Sequence, residues 1–366
     1  MEFGLFMMPL HPPHRPLQDI IAENTEKALL AEKLGFDELW VGEHFSATTE
    51  PLCSPLMFLA SLLPQTKRMK LGTGVVNLPN HHPAIVASEV AMFDHMSNGR
   101  LLFGIGPGGL ASDFELFGNQ DPQARGEKML ESIDMILRLW TQEPPYRVTG
   151  KYWDVTLAEA IIPELGIGTL RKPLQQPHPP IAMSAMSPFS GSVKTAAMRG
   201  WSPISANFIP EYSIASHWQK YLEGCAAAGR EPDGREWRVA RNIVIAPTDA
   251  EARDRAFSPE SSTHYYFRYL WEVLQRGNYS VAMKPDPKMA DSEVTLEMLI
   301  DSIVIHGSPR TVTEKLVALR ERIGPFGNLL LAAMDWSGPN RAWEQENMRL
   351  LAQSVMPALR DQAAAA

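Results

Sequence analysis

Two cysteines in 366 residues, Cys53 and Cys225, far apart and without a C-x-x-C, leave no material for a disulfide framework or a zinc finger. That scarcity fits a reducing cytoplasm. Nor does any apolar run approach the roughly 20 residues needed to cross a bilayer, and the start of the chain, acidic at Glu2, is too short in apolar residues for a secretory signal. Positive charge is not in excess: the formal net charge of −8 argues against nucleic acid or an anionic membrane as the main partner. HExxH, GxSxG and P-loop patterns are missing too, as is a Cys/His pair, which removes the usual signatures of hydrolases and kinases. His11/His14 and His81/His82 come in close pairs, but no carboxylate-supported ligand set accompanies them, so no metal is expected.

What is present is alternation. Short apolar strands are predicted at residues 3–7, 38–41, 70–76, 101–105, 180–184, 201–204, 238–245 and 328–333. Amphipathic helices are predicted between and after them, at 19–34, 55–63, 83–94, 123–140, 191–199, 212–228, 309–323 and 341–359. Such alternation predicts a parallel sheet with right-handed crossovers, and closing it removes both edges. The expected fold is therefore α/β, a single (β/α)8 TIM barrel spanning residues 1–366. Long insertions are expected after strands 4 and 7, at about 144–178 and 248–305.

A barrel of this kind carries its site at the C-terminal strand ends. Past strand two stands Gly42-Glu43-His44-Phe45, past strand three Asn77-Leu78-Pro79-Asn80-His81-His82, and past strand four Gly106-Pro107-Gly108-Gly109 with Ser112-Asp113. Past strand five come Ser184, Ser187, Ser190 and Ser192, and past strand eight Met334-Asp335-Trp336. Serines and backbone N–H groups at a helix start suit a phosphate, although such a segment alone reads first as a Ser-rich helix cap. Gly104-x-Gly106-x-x-Gly109 matches a dinucleotide fingerprint formally. It follows a fourth strand rather than a first, and Pro107 removes a backbone donor, so tight turning at the rim and close approach to a ligand is the better reading. A lone histidine such as His44 is by itself more often structural.

Several separated motifs occur in an order that resembles the bacterial luciferase-like monooxygenase family. They are Val41-Gly42-Glu43-His44, Leu71-Gly72-Thr73-Gly74-Val75-Val76-Asn77 running on to His82-Pro83, and Phe93-Asp94-His95-Met96-Ser97-Asn98-Gly99-Arg100. Ile181–Gly200 (residues 181–200) and Ile305-His306-Gly307-Ser308-Pro309 complete the set. The segment 106–113 is most similar to the limonene-monooxygenase branch. The resemblance implies a two-component enzyme. Reduced FMN, delivered by a separate NAD(P)H:flavin reductase, would react with O2 to a C4a-(hydro)peroxyflavin that oxygenates a small apolar or cyclic organic substrate. It implies His44 as a proton shuttle, with Glu43 beside it. Gly74, Val75, Asn77, Gly106 and Ser184 would lie against the flavin ring, and Ser187, Ser190 and Ser192 would hold its phosphate. Arg125 is a weaker candidate for the phosphate, since luciferases proper carry a phosphate-binding arginine where Pro107 stands here. A homodimer paired through early helices is implied as well, and aromatics of 248–305 as lining for an apolar pocket. Three alternatives stay open: a deazaflavin-dependent oxidoreductase on the same fold, a non-catalytic flavin-binding subunit, and, on the glycine fingerprint alone, an NAD-dependent dehydrogenase.

Overall fold

Glu2–Met7 (β1) opens a series of strands that alternate with helices along the chain: β2 Glu38–Val41, β3 Lys70–Thr73, β4 Leu101–Gly106, β5 Ile181–Ala185, β6 Ser202–Ser205, β7 Arg238–Arg241 and β8 Asn328–Ala332. The helices that follow them are α1 Leu17–Leu34, α2 Pro55–Leu62, α3 Pro83–Met96, α4 Pro122–Thr141, α5 Gly191–Arg199, α6 Glu211–Ala227, α7 Pro309–Ile323 and α8 Asn340–Leu350. This computed structural model describes the chain through residue 365. Around the sheet the strands keep chain order, β3-β2-β1-β8-β7-β6-β5-β4, and β4 pairs in turn with β3 through Leu71↔Leu101 and Gly72↔Leu102. The result is a (β/α)8 barrel, a sheet with no free edge.

Local sequence explains the elements. Strands β2, β4 and β8 are buried at every position, as expected of parallel strands covered on both faces. The one charge among them, Glu38, is matched: its carboxylate accepts from the Arg238 guanidinium at 2.6 Å and 2.8 Å and from the Trp40 indole N–H at 2.8 Å. Ser54 caps α2 ahead of Pro55 by accepting from the Met57 N–H, and Gly35 closes α1 at φ +88°, a turn that an L side chain disfavours.

By internal packing the chain divides into two compact units, residues 1–40 with 48–50 and 182–366, and residues 41–47 with 51–181. In the second unit the predicted strand 70–76 is broken. It stops at Thr73 and resumes as Val76–Asn77, paired with Ile105 and Gly106 of β4, and the peptide between Gly74 and Val75 is cis. Residues 144–178 follow α4 and lead into β5, so they occupy a helix-to-strand connection; they form a hairpin of Tyr146–Thr149 with Asp154–Leu157 and a turn at Pro163–Leu165.

In the first unit the predicted strand 238–245 divides at Asn242. Its second half, Ile243–Ile245, pairs with Ile305–Gly307 instead. Between them the chain forms helices Asp249–Phe257, Ser262–Arg276 and Leu296–Ile303, which bury Tyr266, Phe267, Leu299 and Ile300 in one apolar cluster. The predicted closing helix 341–359 is interrupted by a wide turn, Leu351–Val355, before Met356–Ala365. Among the described residues no helix is long and apolar enough to cross a membrane.

Candidate active site

Within the unit of residues 41–47 and 51–181, the chain past β2 carries the densest polar arrangement. His44 is buried, and its Nδ1 lies 3.1 Å from Asp113 Oδ2. Asp113 belongs to Ala111–Leu116, a short helix just past β4, and it also accepts from the backbone N–H groups of Phe45 and Ser46 and from the Ser46 hydroxyl. Burial alone would raise the Asp113 pKa, but the bonds from His44, Ser46 and the Phe45 N–H hold it below the ordinary carboxylate value. An ionised Asp113 can only accept, so His44 presents N–H at Nδ1 and, when neutral, keeps its lone pair on Nε2.

Glu43, predicted to assist His44, is turned to a different task. Its carboxylate accepts the Asn77 backbone N–H at 2.9 Å and lies 3.1 Å from His81 Nε2 through both oxygens, while its carbonyl accepts from the Asn77 side-chain amide at 3.1 Å. Burial works against a charge on His81, yet the bond and charge of Glu43 raise its pKa above the ordinary value. The pair thus ties the end of β2 to the end of β3. Asn77 pairs directly with Gly106, the Gly74 N–H donates to the Val41 carbonyl at 2.6 Å, and a Cβ built on Gly108 (φ +92°) would stand 3.0 Å from the Phe114 ring. Val75 sits in the same bulge as Gly74. Glu43, His44, Gly74, Val75, Asn77 and Gly106 therefore gather at consecutive strand ends.

Arg125 does not join them as a free cation. Its guanidinium donates to the carbonyls of Asn119 and Gln120 at 2.8 and 2.9 Å and lies 3.5 Å over the Phe114 ring. Those contacts secure the loop into α4.

Within the other unit, Ser184, Ser187, Ser190 and Ser192 surround the start of α5. Ser192 donates to the Ser184 carbonyl at 3.0 Å, and the hydroxyls of Ser190 and Ser192 are 2.7 Å apart. Ser190 stands at the capping position, but its side chain makes no cap bond. The first turn holds no acidic residue, and a Cβ built on Gly191 would meet nothing within 4 Å. A helix start of this kind, with hydroxyls beside uncapped N–H groups, suits a dianion.

Two further features of this unit escaped the sequence. Helix Ser262–Arg276 is tied to the loops past β1 and β2: the Tyr265 hydroxyl donates to the His11 carbonyl at 3.4 Å, and the Tyr269 hydroxyl lies 2.9 Å from Thr49 Oγ1. His11, Glu23 and Asp335 converge with ligand atoms within 4.8 Å of one another. Arg15 already stands 2.7 Å from Glu23 and 2.5 Å from Asp335, and Lys27 donates to Glu23. Buried Lys27 and half-buried Arg15 in the same cage make this an ion-pair network that would repel a metal ion. Burial pushes the His11 pKa down, while at Asp335 the bonds from His11 and Ser337 overcome burial and hold the carboxyl far below its usual range.

Comparison with known proteins follows the same lines. Residues 1–325 match the family model described as luciferase-like monooxygenase. The chain is 33% identical to 4-hydroxyprotoasukamycin monooxygenase of Streptomyces nodosus subsp. asukaensis, covering 98% of this chain and 92% of that one. It is 30% identical to limonene 1,2-monooxygenase of Rhodococcus erythropolis, covering 98% and 86%. The solved oxygenating constituent of 3,6-diketocamphane monooxygenase from Pseudomonas putida, a type II Baeyer–Villiger monooxygenase in complex with FMN, superposes with a TM-score of 0.87 at 29% identity over 98% of both chains. The chain belongs to the luciferase-like monooxygenase family and is an enzyme of that class.

Proposed function

We propose that this chain is the oxygenating component of a two-component system. It takes reduced FMN from a separate NAD(P)H:flavin reductase and transfers one atom of O2 to a small apolar or cyclic organic molecule. The observation that carries this reading is the buried His44–Asp113 pair at the C-terminal strand ends. It supplies an imidazole of fixed tautomer, suited to holding and returning one proton. Reduced FMN, when bound, supplies the two electrons that send one oxygen atom to the substrate and the other to water.

The residues present fit that cofactor. The uncapped start of α5, with the Ser190 and Ser192 hydroxyls and Ser184 and Ser187 beside them, suits its phosphate. Gly74, Val75, Asn77 and Gly106 offer a narrow, glycine-rich backbone edge for the ring. His44 Nε2 is assigned the proton transfer, and Asp113 orients the ring. Glu43 positions Asn77 and His81 rather than moving a proton itself. The aromatic side chains Tyr265 and Tyr269 are assigned to the apolar, water-excluding wall over the substrate. Substrate class is supported by the limonene and diketocamphane relatives, whose named substrates are compact cyclic molecules.

A homodimer is supported by Met57, Ile85, Met92 and Met96, all exposed apolar side chains of α2 and α3. A cytoplasmic location is supported by two thiols that stay free, Cys53 exposed and Cys225 buried.

The test supplies reduced FMN and 18O-labelled O2 with a panel of terpenes and cyclic ketones. One labelled atom per product molecule is expected, with no product from NADH alone. Absence of FMN binding in both redox states, or product formed equally well without O2, would sink the assignment.

A further inference from the structure

The turn that precedes α5, residues 186–190, does not hold its shape by local preference. Phe189 has φ +51°, a left-handed conformation that an L side chain rarely adopts. Two side chains of α6 clasp the turn on either side of that residue. The Phe189 N–H donates to Ser216 Oγ at 2.7 Å, and His217 Nε2 lies 2.9 Å from the Ser187 carbonyl oxygen. Ser216 in turn donates to the Ser213 carbonyl at 2.6 Å.

The direction of each bond around His217 is fixed by chemistry. A carbonyl only accepts, so Nε2 must carry the hydrogen. The other ring nitrogen lies 2.8 Å from Ser205 Oγ, which itself receives the Trp237 indole N–H at 2.9 Å. Indole N–H only donates, leaving the serine proton for His217 Nδ1. The relay therefore runs from Trp237 through Ser205 and His217 to the Ser187 carbonyl, with a neutral ring. His217 is fully buried, and burial brings its pKa down to about 4 despite the bond to the Ser187 carbonyl, so the ring stays neutral throughout the physiological range.

We propose that His217 is a positioning residue for the flavin phosphate: together with Ser216 it locks the 186–190 turn so that Ser190, Ser192 and the start of α5 are presented as one preformed anion cradle. This inference rests on the reading of α5 as the phosphate site. A donor at Ser187 and an acceptor at Phe189 remove the freedom that the turn would otherwise lose only on binding, and preorganisation of that kind appears as affinity for the anion and not for the ring. His217 touches no ligand in this account; it acts through the turn.

The experiment measures dissociation constants of the full-length protein for FMN and for riboflavin, which share the ring and differ in the phosphate. The wild type is expected to prefer FMN by at least about tenfold. His217→Leu should weaken FMN about tenfold and leave riboflavin within about twofold, so that the preference collapses. His217→Gln, whose amide can both accept from Ser205 and donate to the Ser187 carbonyl, should recover most of it. Ser216→Ala removes only the acceptor for the Phe189 N–H and should shift the ratio the same way by a smaller factor; it decides the matter if His217→Leu does not fold. A wild-type FMN preference that survives in both variants, or equal weakening of both ligands, overturns the role of His217 while leaving the phosphate site standing. A wild type that binds FMN and riboflavin equally overturns the phosphate reading and this inference with it.

Discussion

At the scale of single residues, carboxylates decide what the histidines can do. Asp113 binds His44 through Nδ1 and also receives the Phe45 and Ser46 N–H groups, so the carboxylate that orients the ring is itself held in place. Asp113→Asn keeps the volume and loses the charge. Turnover is expected to fall about 10- to 100-fold with FMN affinity little changed, as for other residues that orient a functional histidine. Steady-state kinetics together with an FMN titration checks both. Unchanged turnover would remove Asp113 from the mechanism.

His81 carries the opposite lesson about the same carboxylate chemistry. Its pKa is raised by Glu43 against the pull of burial, so the pair stabilises the fold fully below 6.5, the ordinary value, and that contribution disappears as pH rises through the raised value. In thermal melts, His81→Gln should therefore lose more against wild type at pH 6 than at pH 9. A deficit that grows with pH would show that the His81–Glu43 contact is not an ion pair.

At the scale of elements, α5 and α6 are joined by close contact at Gly224, where a built Cβ would come within 2.5 Å of the Lys194 carbonyl oxygen and 2.6 Å of Ala197 Cβ. The contact involves backbone, which cannot swing aside, so the helices themselves must separate. Gly224→Ala is expected to destabilise the protein by about 1–3 kcal/mol despite its better helix propensity. A urea midpoint that drops with an unchanged slope is the signature; a rise would mean that propensity wins.

Elements of this kind were legible in the sequence wherever one rule governed them. Apolar runs such as Leu101–Gly106 and helices punctuated by Pro309 or Gly200 stand where periodicity and capping chemistry put them. The predicted strands 70–76 and 238–245 each proved to be two pieces, because β propensity is blind to the bulge at Gly74–Val75 and to a strand that changes partner at Asn242. Site residues past the strand ends were legible from position, but their partners were not. Asp113 stood in view past strand four with no signal that it reaches His44, 69 residues away in sequence. His217 lies mid-helix, where nothing in the sequence marks a histidine that holds a distant turn.

For the whole molecule, the pH dependence of stability draws on two buried groups that remain uncharged in the fold. His217, at about 4, must take a proton on unfolding whenever the pH lies between that value and 6.5, so stability is complete above 6.5 and is lost as pH falls towards 4. At ~1.4 kcal/mol per pH unit that loss is on the order of 3 kcal/mol. Glu344 acts in the other direction. Burial, only partly offset by Asn347, Lys27 and Arg255, raises its carboxyl to about 7 from an ordinary 4.5, so its neutral form favours the fold at low pH and that advantage fades as pH rises from 4.5 to 7. The two slopes oppose one another over most of the same interval, which flattens the wild-type profile. Glu344→Gln keeps the shape and removes one slope. Its melting temperature is expected to gain on wild type steadily between pH 4.5 and 7 and to hold that gain above pH 7, exposing the acid loss due to His217. An offset from wild type that does not vary with pH would mean that Glu344 is ionised in the fold, with Lys27 and Arg255 as its counter-ions.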